Sequence, residues 1–104
     1  MAKTETAYQK DLIEALKYPC EAAAYPNAAI DEGDREVFLL ALRNVAEANG
    51  GMSAVAAKAN LSSESLYRML SGRGNPEVKS LCNLLHTMGL RLAVKSEDDK
   101  SKAA

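Results

Sequence analysis

Between Met52 and Gly72 the chain reads MSAVAAKANLSSESLYRMLSG. That pattern predicts two short helices separated by a tight turn, the spacing of a helix-turn-helix. Val55, Ala56 and Ala59 share one face of the first helix, and its alanine-rich composition favours helix while leaving little bulk. A second helix can then cross it closely. Ser53 is the expected cap of the first helix. Asn60 tolerates the left-handed backbone needed to turn out of a helix. Ser62 is the expected cap of the second, with Leu61 and Leu66 bracketing it at hydrophobic-staple spacing. Leu66, Met69 and Leu70 recur at i, i+3 and i+4 and predict a buried face. Gly72 stops the helix, and Gly74 and Pro76 keep the next stretch irregular.

That phase leaves Ser63, Glu64, Tyr67, Arg68 and Ser71 facing outward. The set is small and polar with one arginine, unlike the Glu/Lys mix of an ordinary solvated helix. A helix held in the major groove of DNA needs such a face, because base edges are read by hydrogen bonds and apolar contacts. Ser63, Glu64, Tyr67 and Arg68 are therefore the candidate base-reading residues: Arg68 suits guanine, Glu64 a cytosine amine, and Tyr67 a thymine methyl or a phosphate. Ser53, Ser71, Arg73 and Asn75 are the candidate phosphate contacts, which position a domain without specifying sequence. The competing reading is a plain helical hairpin in a bundle core. In it Tyr67 packs on a neighbouring helix and Arg73 is a solvated loop charge.

Elsewhere the pattern predicts more helix. Residues 8–17 turn Leu12, Ile13 and Leu16 inward. Pro19 suits the first turn of a second helix, and Pro26 should kink or interrupt that helix or restart it over Asn27–Glu32. Gly33 ends it. Asp34 caps a helix over Arg35–Ala48, whose expected core face is Val37, Phe38, Leu40, Ala41, Leu42, Val45 and Ala46. Asn49-Gly50-Gly51 terminates it. A last helix, Glu77–Met88, should bury Val78, Leu81, Leu84, Leu85 and Met88, with Gly89 as its cap. Leu90–Lys95 alternates apolar and polar at first, which predicts a short strand wanting a partner, such as its own copy in a dimer. Residues 96–104 are expected to be a disordered tail. The fold class is thus mainly α: one small helix-turn-helix domain over 1–95, with a helical extension at 8–33 and a core at 34–95.

Charge is unevenly spread. Residues 1–49 hold five basic and nine acidic side chains, a net of −4, whereas residues 50–95 hold six basic and two acidic, a net of +4. Such asymmetry suggests two surfaces with different partners, the basic one suited to phosphate. A chain of 104 residues supports one domain with a modest core. It has no apolar run of the length a membrane span needs, and its polar, amphipathic start does not read as a signal peptide. A cytoplasmic protein is expected. Cys20 and Cys82 lack metal-ligand spacing and are expected to act as small core residues, and His86 to be half-buried or interfacial. No acid–base pair, nucleophile constellation or phosphate-cradling glycine loop is present, so neither catalysis nor a cofactor is expected.

The runs Glu21–Tyr25 (EAAAY), Asn27–Asp34 (NAAIDEGD), Phe38–Ala48 (FLLALRNVAEA), Gly50–Ser53 (GGMS), Leu61–Arg68 (LSSESLYR) and Gly89–Leu92 (GLRL) resemble a known family. It is that of the addiction-module antidote proteins, HigA-like antitoxins of type II toxin–antitoxin systems with a phage-repressor-like helix-turn-helix. The resemblance spans about residues 12–95. It implies a bacterial cytoplasmic homodimer that neutralises a RelE/HigB-type RNase toxin and represses its own operon by binding double-stranded DNA in its own promoter. Pro26 departs from the pattern, which carries an apolar helix former there. Ala54 stands where phage repressors commonly carry glutamine. An RNase toxin must bind RNA and is expected to be basic, so the acidic half, residues 1–49, with its segment around Pro26, is expected to supply much of the toxin surface. Two other readings stay open. One is a stand-alone phage-type transcriptional repressor with no toxin partner; the other is an interaction module that has lost DNA binding.

Overall fold

In the computed structural model, which describes residues 7–97, the chain forms six helices. They are α1 (Ala7–Ala15), α2 (Pro19–Asp31), α3 (Arg35–Ala48), α4 (Met52–Lys58), α5 (Ser63–Met69) and α6 (Val78–Thr87). Among the described residues there is no strand.

Helix α3 is the axis of the domain. It begins where the Asp34 carboxylate accepts from the Val37 backbone N–H at 3.1 Å. Leu39, Leu42, Val45 and Ala46 on it are all fully buried. Helices α1, α2 and α4 pack against it, and α4 in turn carries α5 and α6. Leu16, Val55, Leu66, Leu70, Leu84 and Met88 complete one continuous core. No charged or polar side chain is buried among the described residues, so apolar burial holds the helices together. A side-chain relay ties the first three helices: Gln9 donates to the Asn44 carbonyl oxygen, and the Asn44 amide donates to the Tyr25 hydroxyl, each at 3.2 Å.

Several sequence expectations are corrected here. The short strand at Leu90–Lys95 is absent: the segment has no secondary structure, and apart from Leu90 all of it is exposed. A strand is held by a neighbour's backbone, and a single chain of six helices offers none. Pro26 neither breaks nor restarts its helix. Helix α2 runs through it, and Ala22, Pro26 and Ala29 form its buried face. The lost amide bond is outweighed by burial of the ring and by helix-favouring alanines on both sides. On α3 the buried stripe is narrower and rotated: Leu39 is 1% exposed, while Val37 is 46% and Leu40 52% exposed. Val78 is open at the start of α6, Cys20 is exposed rather than in the core, and His86 is exposed rather than half-buried. Of the expected tail, residues 98–104 lie outside the described residues.

Candidate nucleic-acid interface

Helices α4 and α5 pack against each other across a link of four residues, Ala59–Ser62. Asn60 makes the turn. It is the one non-glycine residue with positive φ among those described, at 62°. Its N–H donates to the Ala57 carbonyl at 3.2 Å, and the Leu61 N–H donates to the Ala56 carbonyl at 2.8 Å. That pair of bonds is a Schellman closure, which satisfies the last carbonyls of α4. From the other side the Asn83 side chain donates to the Ala59 carbonyl at 2.9 Å, pinning the turn to α6. Ser62 then opens α5, its hydroxyl accepting from the Ser65 N–H at 3.0 Å.

Ser53 does not cap α4 as expected. The cap position is Gly51, with φ 104° and ψ 161° and no side-chain bond, so the helix starts two residues earlier. Only glycine adopts that backbone readily, so it also fixes how the chain leaves α3. Ser53 is instead exposed on the first turn of α4, where it accepts a hydrogen bond from the Ser63 hydroxyl at 3.3 Å. The starts of the two helices therefore lie side by side.

The exposed face of α5 holds Glu64, Tyr67 and Arg68, with Ser63 half-buried beside them. Arg68 and Glu64 pair at 3.9 Å, with side chains 74% and 85% exposed. An i,i+4 pair in such water is worth only about 0.3–0.5 kcal/mol and yields easily to a better partner. Tyr67 is 46% exposed. Its ring lies under the Arg43 guanidinium of α3, 5.5 Å from the centroid. Ser71 is half-buried and spends its hydroxyl proton on the Arg68 carbonyl at 3.0 Å, tying off the end of α5. Gly74 closes the loop that follows: its N–H donates to the Ser71 carbonyl at 2.8 Å, and a Cβ there would strike the Met69 carbonyl oxygen. Arg73 and Asn75, on either side of Gly74, are exposed, with no hydrogen bond or ion pair to a described residue.

The eight residues picked out by sequence thus gather on and around α5, with Ser71 turned inward to its own helix. Arg43 was missed. It sits in the acidic half of the chain, 24 positions from Tyr67, and only the tertiary fold brings them together. The basic half is also less uniform than its net charge implies. Lys58, Arg68 and Arg73 are exposed on and beside α4 and α5, but Arg91 and Lys95 line a different feature. That feature is an apolar groove of about 590 Å³ between α2, α6 and the C-terminal segment, lined by Ala23, Pro26, Ile30, Leu81, Leu85 and Leu92 among others. Among the described residues no group of His, Cys, Asp or Glu could hold a metal ion, and no helix is long and apolar enough to cross a membrane.

The fold and site define a small all-helical domain that displays one short polar helix on an alanine-rich support buried along one side. Residues 6–96 match the family model described as "Probable addiction module antidote protein", and the chain belongs to that family. It is 34% identical over 92 residues to an "Uncharacterized protein" of Haemophilus influenzae, an alignment covering 88% of this chain and 94% of that one. No solved structure matches the chain significantly.

Proposed function

We propose that this antidote binds duplex DNA in its own promoter through α4 and α5, and neutralises an RNase toxin of the RelE/HigB type through its acidic N-terminal half. The observation that carries the DNA reading is the open face of α5. Four side chains with base-edge chemistry stand together there, and the pair that occupies two of them is weak. A bidentate arginine–guanine contact discriminates bases by about 1–3 kcal/mol, several times the value of the Glu64–Arg68 pair it would displace. Ser53, Arg73 and Asn75 flank that face as phosphate contacts, and the chain works as a helix-turn-helix of phage-repressor type. It acts by binding, without a cofactor and not as an enzyme, in the cytoplasm.

The toxin surface is assigned on charge. Asp11, Glu14, Glu21, Asp31 and Glu32 on and just after α1 and α2 are all exposed. Complementary charge would speed association with a basic toxin, while exposed Tyr8 and Tyr18 on the same side of the sequence supply apolar contact. Dimerisation is assigned to the C-terminal segment. Leu92 and Val94, 47% and 96% exposed, lie on a segment without secondary structure beside the apolar groove. Packing against its copy would cover those side chains. The stand-alone repressor reading is the weaker one, because membership of an antidote family carries a toxin with it.

Co-expression with the product of the adjacent gene, followed by a mobility shift on the promoter fragment, tests the whole reading. The expected result is a co-purifying pair that shifts the fragment. A protein that co-purifies with nothing and leaves the fragment free would refute it.

A further inference from the structure

Arg43 stands apart from the other cations of the chain. It is half-buried on the central helix, and among the described residues no carboxylate pairs with it. Its charge is met by the face of Tyr67, 5.5 Å away. A guanidinium stacked on an aromatic ring is held by the ring's quadrupole and fixes the ring in turn. Tyr67 shares the outward face of α5 with Ser63, Glu64 and Arg68, one turn along the helix from the first two. Exposed aromatic side chains otherwise move among rotamers, and an unfixed ring contributes little selectivity. The stem of Arg43 is anchored in α3, whose Leu39, Leu42 and Val45 are fully buried.

We propose that Arg43 is a positioning residue for sequence-specific DNA recognition: it clamps Tyr67 in one orientation so that the open part of the ring meets the apolar edge of a base. This rests on the reading of α5 as the DNA-binding helix. Arg43 acts through Tyr67 and sets selectivity rather than overall attraction to phosphate. Glu36, Val37, Leu40, Leu70 and Gly72 line a shallow pocket with Arg43.

The test is a double-mutant cycle on the full-length protein with two probes, the duplex upstream of its own gene and a scrambled duplex of equal length. Arg43→Gln and Tyr67→Ala are each expected to lower the ratio of specific to scrambled affinity about tenfold. The double variant should be no worse than Tyr67→Ala alone. Arg43→Lys, which keeps the charge but stacks poorly, should recover only part of the ratio. The salt dependence of Arg43→Gln should match that of the unaltered protein, and its thermal unfolding midpoint should stay within a few degrees, which separates clamping from folding. Independent losses that multiply in the double variant would overturn the assignment. So would an Arg43→Gln variant that weakens both duplexes alike and lowers the salt slope by about one, the mark of a direct phosphate contact. If the unaltered protein fails to prefer its own upstream duplex, the reading of α5 falls and this assignment with it.

Discussion

Asn60 shows how much one residue decides. At φ 62° a side chain with a branched β-carbon is strained, whereas asparagine is tolerated and glycine is free. Asn60→Val should cost about 1–2 kcal/mol, and Asn60→Gly should be close to neutral, measured by urea unfolding. The two arginines beside α5 should separate by the kind of loss they cause. Arg68→Ala is expected to cost about 1–3 kcal/mol on the promoter and to relax sequence preference, while Arg73→Ala should weaken all duplexes alike and reduce the salt slope by about one. Anisotropy titrations at several salt concentrations read both; equal loss of specific and non-specific binding in Arg68→Ala would make Arg68 a phosphate contact. At this scale the sequence was legible where a residue type matches a backbone need. Asn60 at the turn, Ser62 and Asp34 at helix starts and Gly89 at a helix end all sit where their chemistry predicts. Ser53 was misread because Gly51, two positions earlier, takes the cap, and no pattern in side-chain polarity reveals which of the two does so.

At the scale of elements, periodicity located all six helices but not the phase of each. Helix α3 is apolar over so much of its circumference that its buried side cannot be read from spacing, and Leu39 rather than Leu40 faces the core. Helix α2 is neither interrupted nor restarted at Pro26, because the intrinsic penalty of the proline is local whereas its compensation comes from α3 packing across the helix. Proline within a helix costs about 3 kcal/mol relative to alanine, and the apolar surface lost in Pro26→Ala returns part of that. Pro26→Ala is therefore expected to raise stability by about 1 kcal/mol, a gain of roughly 4–8 °C in Tm; a fall in Tm would show that the ring is needed to shape the groove it lines. The capping serine of α5 gives a cleaner case. Ser62→Ala should lose about 1 kcal/mol, with DNA affinity expected to fall further than stability because the proposed base readers follow directly on the cap. The segment after α6 was the expectation that failed outright in a single chain. Alternating polarity marks a strand only where a neighbour exists, and that information lies outside one sequence.

At the scale of the whole molecule, the proposed function uses two surfaces. Asp11, Glu14, Glu21, Asp31 and Glu32 are exposed on and just after α1 and α2, further exposed carboxylates stand on α3 (Glu36, Glu47) and α5 (Glu64), and the candidate base readers lie on α5. Under the proposed function, an antidote holding a basic toxin and an anionic duplex together would gain from keeping them apart. Removing residues 1–33 should abolish toxin binding, but that region also covers the core of α3, so Glu21→Lys combined with Asp31→Lys is the milder probe: toxin association should slow severalfold with DNA affinity kept or raised. Retained toxin association in both variants would move that interface to α4–α6 or the C-terminal segment. The central claim, that α5 reads DNA from a paired molecule, is met most directly by a hydroxyl-radical footprint on the promoter. Two protected half-sites are expected, related by two-fold symmetry with centres about 34 Å apart, one helical turn. A single asymmetric patch, or no protection at concentrations that saturate the toxin, would contradict it.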